Sequence, residues 1–491
     1  MNQRIRRLAV ALLVLYVILF AQLNFIQVGR KASLDADVRN TRQTVRDFDR
    51  PRGPILTADG VVIAESVRTE PGGNYTWQRT YPENDLYAHL TGYFTLAYGA
   101  TQVERVANDV LSGRTTEQQL AGVWSIFDAD DNSGSVTLTV DSDVQEAARA
   151  ALGEREGSVV VLDVQTGAVK ALWSWPSFDP NLISAHDSAE AGLWLQFLDL
   201  LPSNPLLANA YQERYMPGST FKILTTAAAL ENGTVDLATV FTEESQFIPP
   251  QTTDPIENYD GSTCGGDLTE VFRRSCNTPF ARLALDLGAS TMVEAATRFG
   301  IGEKVPFDLP SAASSSFGNV EYFEENLPLL AIGGFGQGNT QMVPLHMAAI
   351  AAAVANRGTM MQPYVIDATR DHDGGLLDRT APQVWRQIMS PEVATILSDL
   401  MEEVARRGTA SCCFRLANGV IGAAKTGTAQ LNGPGEPERS HAWIVGFAPV
   451  EAPRYAFAVM LKGTNAEISA GTGGTLAGPV ASKVMNAALG D

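Results

Sequence analysis

The sequence predicts an α/β protein in which strands from two distant stretches of chain share one sheet, covered by an inserted helical lobe, with a smaller domain and a membrane helix in front. Three observations predict this. At 491 residues the chain exceeds what one core usually organises, so two or three domains are expected. Strand-like runs occur at 136–140, 158–163 and 169–175 and return only at 420–428, 441–448 and 454–461, while residues 212–408 read mostly as helices between Gly/Pro loops. An apolar run follows a basic cluster at the N-terminus.

Arg4, Arg6 and Arg7 precede the run from Leu8 to Phe20, which continues through Gln22, Asn24 and Gln27 to Val28. A helix of about 20 residues rises roughly 30 Å, the thickness of a hydrocarbon core. The basic cluster favours a cytoplasmic N-terminus, and no small-x-small cleavage site follows. An uncleaved single-pass anchor at the cell membrane is therefore expected over residues 1–30, with everything after it extracytoplasmic. A domain over 31–135 follows, then one over 136–491. Ala348 to Ala355 is too short to span and reads as a buried helix.

Arg50 to Glu65 reads as two short strands around the Asp59-Gly60 turn, and Thr101 to Leu111 as a helix. Asp128, Asp130 and Asn132 imitate the start of a calcium loop. Ser133 stands where that loop needs glycine and Thr139 where it needs glutamate, so the segment reads as a solvated boundary turn. Asp143 to Leu152 is expected to be a helix and Ala477 to Leu489 a final amphipathic helix.

Lys+Arg number 36 against Asp+Glu 55, a net charge of −19, which argues against a nucleic-acid partner. The cysteines Cys264, Cys276, Cys412 and Cys413 show neither CxxC pairs nor zinc spacing. In an oxidising compartment one disulfide from Cys264 to any of the other three would be consistent, and the sequence leaves that pairing open, a free buried Cys276 included. His89, His186, His346, His372 and His441 lie in no ligand motif. No metal site and no cofactor are expected.

In Tyr215-Met-Pro-Gly-Ser-Thr-Phe-Lys222, Pro217-Gly218 breaks the chain and a helix is expected from Ser219 to about Glu231. Ser219 and Lys222, three apart, project from one face of its first turn. Backbone N–H groups there lack helical partners and can stabilise an oxyanion. A serine hydroxyl is a poor nucleophile until a base takes its proton, and Lys222 serves if burial or a second cation lowers its pKa. Alone the pair is weak evidence, since SxxK arises by chance and Ser219 could be only a helix cap.

Two further elements change the balance. Ser275-Cys-Asn277 supplies a hydroxyl and a carboxamide on one side of an extended turn. Lys425-Thr-Gly-Thr428 lies in a strand pattern: Lys425 is a second cation, Thr426 and Thr428 offer hydroxyls to a carboxylate, and Gly427 admits a ligand to the backbone. With only seven lysines in the chain, KTG is expected ~0.05 times by composition.

On these motifs the chain resembles the penicillin-binding proteins and serine β-lactamases. Arg52-Gly53, Tyr98-Gly99, Leu138-Thr-Val-Asp141, Gly336-Gln-Gly338 and Ala442-Trp-Ile-Val-Gly-Phe-Ala-Pro449 extend the resemblance over nearly the whole chain, to class B monofunctional transpeptidases, most like the penicillin-binding protein A type. Thr57-Ala58 depart from the Asp-Arg that commonly precedes the turn in that family. The resemblance implies an antiparallel sheet flanked by helices plus an all-α lobe, preceded by an extended α+β pedestal. It implies Ser219 as nucleophile on a stem peptide ending D-Ala-D-Ala, Lys222 as base, and Ser275 with Lys425 as proton relay to the departing D-alanine. Asn277 would bind the stem backbone, Thr426 and Thr428 its carboxylate, and N–H groups of Ser219 and Thr428 the oxyanion, about 3 kcal/mol per donor. β-Lactam antibiotics would stop the cycle at the ester.

Hydrolysis, as a D,D-carboxypeptidase or β-lactamase, shares this acylation chemistry; the anchored pedestal favours crosslinking. A β-lactam sensor would need more membrane segments or a cytoplasmic output domain, and an intact catalytic set argues against a silent scaffold. The 31–135 region is too short for a glycosyltransferase, so a membrane glycan polymerase and morphogenetic complex proteins are expected as partners.

Overall fold

The computed structural model describes residues 2–26, 48–71, 75–118, 132–431 and 439–490. The turn expected at Asp128 and Asp130 lies outside them.

The helix Asn2–Asn24 carries no acidic residue in its first turn, and its apolar side chains, Leu8 to Phe20 among them, are exposed. It is long and apolar enough to cross a membrane.

The hairpin at Asp59-Gly60 forms between strands Ile55–Leu56 and Val62–Arg68, with Trp77–Thr80 beside it. Ile55–Leu56 also pairs in parallel with Ser135–Leu138, which pairs in turn with Ile366–Arg370 and through it Leu376–Arg379. One six-stranded sheet therefore runs across the division expected near residue 135. Asp59 reinforces the join by accepting from the backbone N–H and the hydroxyl of Ser142, at the positive end of helix Ser142–Leu152. The helix expected from Thr101 to Leu111 is broken at Ala107 into Gln102–Val106 and Asn108–Leu111.

A buried charge cluster occupies the pedestal core. Glu104 accepts from Arg52 at 2.8 and 3.0 Å, from Arg79 at 2.6 Å and from the Tyr81 hydroxyl at 3.3 Å. The three charged side chains are at most 1% exposed, so each guanidinium has lost its water and depends on the one carboxylate.

The larger sheet runs in the order 423–430, 440–448, 455–461, 157–163, 169–175, antiparallel throughout. The inner strand Ser440–Ala448, second in that order, is rich in β-branched and aromatic residues and is buried at every position, which requires cover on both faces. Helices Ser142–Leu152 and Gly478–Leu489 pack on each other and on the sheet, and the alanine-rich Pro344–Ala355 packs on the strands as well. The helix Pro391–Arg407 backs the Ala423–Gln430 strand; Ser390 caps it by accepting from Val393 N–H, Pro391 starts it, and Arg406 and Arg407 oppose the dipole at its end.

The region 212–408 is less purely helical than its sequence suggests. Besides its helices it contains the strands Val240–Glu244, Cys264–Asp267 and Thr359–Met361, and it supplies Ile366–Arg370 to the pedestal sheet.

Glu104→Ala leaves two desolvated guanidiniums without a counter-charge. Destabilisation of about 3–5 kcal/mol is expected, read as a lowered urea midpoint; an unchanged midpoint would show that the cluster contributes no stability.

Candidate active site

The turn that carries Ser219 differs from the expected helix start. Gly218–Phe221 is a 3-10 turn, and the α-helix begins only at Lys222. Ser219 is half-buried in that turn, whereas Lys222 is 0% exposed. The tighter turn still keeps residues three apart on one face.

Ser275 also departs from expectation: it lies in no extended turn. The helix Leu268–Arg273 closes with Cys276 N–H bonded to Val271 O and Ser275 N–H to Phe272 O, the two bonds of a Schellman cap. Ser275 sits at the left-handed position with φ 61°, where glycine is the usual occupant and a side chain costs about 1 kcal/mol or more. The cap reverses the chain so that Ser275 O, Ser275 Oγ and Asn277 Oδ1 all face Lys222. Next to it, Cys276 forms a disulfide with Cys264, tying this corner to the Cys264–Asp267 strand; Cys412 and Cys413 form the other disulfide.

Lys222 Nζ donates to Ser275 O at 2.7 Å and to Asn277 Oδ1 at 3.0 Å, and stands 3.4 Å from Ser275 Oγ. The rings of Phe280 and Phe335 lie 5.2 and 5.8 Å from it. Lys425 Nζ donates to Ser275 Oγ at 2.8 Å and to Thr426 O at 3.1 Å, with Phe272 5.6 Å away. Burial, and then the positive charge of Lys425, hold the Lys222 amine well below the usual lysine range; burial pushes Lys425 down to about 7. Because both nitrogens reach the same hydroxyl, they are no more than about 6 Å apart, where two ammonium charges repel by roughly 3 kcal/mol at an effective dielectric near 20. One proton fewer than full protonation is the favoured state.

Lys222 is the amine favoured as neutral, because burial lowers both and the positive charge of Lys425 lowers Lys222 further. A neutral amine has two N–H donors and one lone pair. Around Lys222, Ser275 O and Asn277 Oδ1 only accept, so they take the two donors and leave a lone pair for a proton. Asn277 is oriented for this by donating its Nδ2 to Glu257 O at 3.0 Å, while Asn258 Oδ1 accepts from the Asn277 N–H at 2.8 Å.

The strand Ala423–Gln430 lies against the Gly218–Phe221 turn. A Cβ on Gly427 would sit 2.5 Å from Pro217 O, so only glycine permits this approach. The Thr426 hydroxyl is paired with that of Thr409, and the Thr428 hydroxyl accepts from Gly473 N–H at 3.3 Å. Trp443, opposite Gly427 in the sheet, donates its indole N–H to Met216 O at 2.9 Å and so ties the turn to the sheet.

The structure thus brings Lys222, Ser275, Asn277 and Lys425 into direct contact and sets Ser219, Gly427 and Thr428 alongside. Sequence reasoning missed Asn258, Thr409 and the aromatic walls Phe272, Phe280 and Phe335. Of these only Phe280 carried a signal, lying one helical turn after Asn277. His89, His346 and His441 are buried and hydrogen-bonded to Pro205 O, to Ser315 and Phe299 O, and to Gly463 N–H respectively. Among the described residues no group of three or more His, Cys, Asp or Glu is arranged to hold a metal.

Two family models match the chain: the penicillin binding protein transpeptidase domain over residues 157–486 and the penicillin binding protein A dimerisation domain over residues 52–136. Peptidoglycan D,D-transpeptidase PbpA of Mycolicibacterium smegmatis is 37% identical, the alignment covering 100% of this chain and 99% of the relative; its Mycobacterium tuberculosis counterpart is 36% identical over the same shares. The penicillin G acyl-enzyme structure of penicillin-binding protein A from M. tuberculosis superposes with a TM-score of 0.82 at 33% identity, over 90% of this chain and 100% of that one.

In Asn277→Asp a carboxylate replaces the acceptor 3.0 Å from Lys222 Nζ. The Lys222 pKa is expected to rise by one unit or more in lysine-selective ¹⁵N NMR, tractable with seven lysines; a wild-type Lys222 already titrating near 10.5 would contradict the site as described.

Proposed function

The chain belongs to the class B penicillin-binding proteins, and from that premise we propose how its own residues perform D,D-transpeptidation of peptidoglycan stem peptides. The observation that carries the assignment of roles is the burial of Lys222 against Ser275 O and Asn277 Oδ1, beside the second cation Lys425.

Ser219 Oγ passes its proton to the Lys222 lone pair and attacks the carbonyl carbon of the penultimate D-alanine. The carbonyl oxygen becomes an oxyanion held by the N–H groups of Ser219 and Thr428, about 3 kcal/mol for each donor. Collapse breaks the C–N bond, and the departing amine of the terminal D-alanine takes a proton through Ser275 Oγ, which Lys425 resupplies. Thr426 and Thr428 bind the terminal carboxylate, and Asn277 holds the stem backbone with its remaining N–H. An amine from a neighbouring stem then attacks the ester, giving the crosslink and freeing Ser219. A β-lactam enters the same cycle, and its ester persists.

The helix Asn2–Asn24 and the basic residues Arg4, Arg6 and Arg7 support a single-pass anchor with the catalytic domain outside the cell membrane. The pedestal, in this reading, meets a membrane glycan polymerase and other morphogenetic proteins, which supply the glycan strands. Hydrolysis is the competing outcome of the same acyl-enzyme. A rate of D-alanine release that rises with added acceptor amine, with crosslinked product, separates the two; release indifferent to acceptor would make the enzyme a carboxypeptidase.

Ser219→Ala is expected to abolish covalent penicillin labelling, and Lys222→Arg, which cannot become neutral, to slow acylation by about 10²–10⁴-fold. The sign with pH follows from the lowered Lys222 pKa: the base is present above that pKa and protonated below it. The acylation rate constant therefore falls about tenfold per pH unit on the acid side of a midpoint well below 10.5. Labelling that persisted in Ser219→Ala would refute the nucleophile.

A further inference from the structure

Ala423–Gln430 is an edge strand, paired with Ser440–Ala448 on one side only. Leu431 N–H bonds to Arg439 O on that paired side. Antiparallel pairing alternates along a strand, so the main chains of Thr426, Thr428 and Gln430 face the open edge. Two contacts agree: Thr426 O receives Lys425 Nζ at 3.1 Å, and Thr428 O lies 2.5 Å from where a Gly218 Cβ would be.

The Gln430 rung of this edge is occupied. With its carboxamide oriented by its neighbours, Gln337 donates to Gln430 O at 3.3 Å and accepts from Gln430 N–H at 3.2 Å. One carboxamide making both bonds to one residue reproduces what a residue of an adjacent antiparallel strand would do. Gln337 is delivered there by a loop fixed to the nucleophile turn: Gly336 O accepts from Gly218 N–H at 3.0 Å, and a Cβ on Gly336, at φ 80°, would lie 2.2 Å from Gly218 O.

We propose that Gln337 is a specificity-determining residue that imitates a peptide unit of the donor and holds the Gln430 rung until a long donor displaces it. The proposal rests on the reading of this strand as the platform for a stem peptide. A donor whose carboxylate lies at Thr426 and whose reacting carbonyl lies at the Thr428 rung runs antiparallel to the strand. Its main chain two residues upstream therefore meets Gln430. A pentapeptide reaches that rung and must replace the Gln337 bonds; penicillin G, with one side-chain amide and no further peptide, stops short of it.

The test compares acylation of the full-length wild type, Gln337→Ala and Gln337→Glu by penicillin G and by a pentapeptide ending in D-Ala-D-Ala. Removing two modest hydrogen bonds is expected to raise the ratio of pentapeptide to penicillin G acylation constants about five- to tenfold, through a lower pentapeptide KM. Gln337→Glu keeps an acceptor for Gln430 N–H but has no donor for Gln430 O, and is expected to fall between. If the ratio is unchanged or falls in both variants, or if both reagents slow together, Gln337 is a structural brace and the proposal is overturned. Failure of penicillin G to acylate even the wild type would overturn the parent reading and this one together.

Discussion

The site depends on one constraint: Lys222 lies out of water among aromatic rings, with two acceptors fixed against its nitrogen. Desolvation disfavours the ammonium, Lys425 disfavours it further, and the two acceptors use the N–H groups of the neutral amine. Lys222 is thereby disposed to accept a proton before any ligand arrives, as the proposed base must be. The surrounding structure can be read as what this requires. The disulfide at Cys276, the cap that turns Ser275 into the left-handed region and the hydrogen bond that Asn277 N–H donates to Asn258 Oδ1 all fix the acceptors.

That placement has an internal cost which identifies its purpose. A glycine at the Ser275 position would close the Leu268–Arg273 helix with less strain. It would also remove the hydroxyl that touches both lysines. The backbone thus holds a disfavoured conformation at the hydroxyl through which, in the proposed mechanism, a proton is relayed, consistent with strain being retained where chemistry needs the side chain.

Much of this was legible in the sequence, and the omissions have physical reasons. Strands such as Ser440–Ala448 and Gly157–Asp163 announce themselves because both faces are buried and nearly every residue is apolar. Val240–Glu244 and Leu376–Arg379 are short and largely exposed, so no apolar period marks them inside a helical region. SxxK, SxN and KTG could be found as motifs, but a left-handed serine could not: turn rules look for glycine there. Nor could spacing choose the partner of Cys276, which depends on how a strand and a helix cap meet. The aromatic walls were hidden for another reason, since a phenylalanine that dries a lysine looks in sequence like any core residue.

The six-stranded sheet links the pedestal to the catalytic region through Ser135–Leu138 and Ile366–Arg370, so displacement of the pedestal strands would be felt by chain that continues into the catalytic lobe. The central claim nevertheless concerns a single proton. Neutron diffraction from deuterated crystals of the ligand-free enzyme near neutral pH counts it directly. The account predicts two deuterons on Lys222 Nζ, directed at Ser275 O and Asn277 Oδ1, with the lone pair free. Three deuterons on Lys222 Nζ would contradict it.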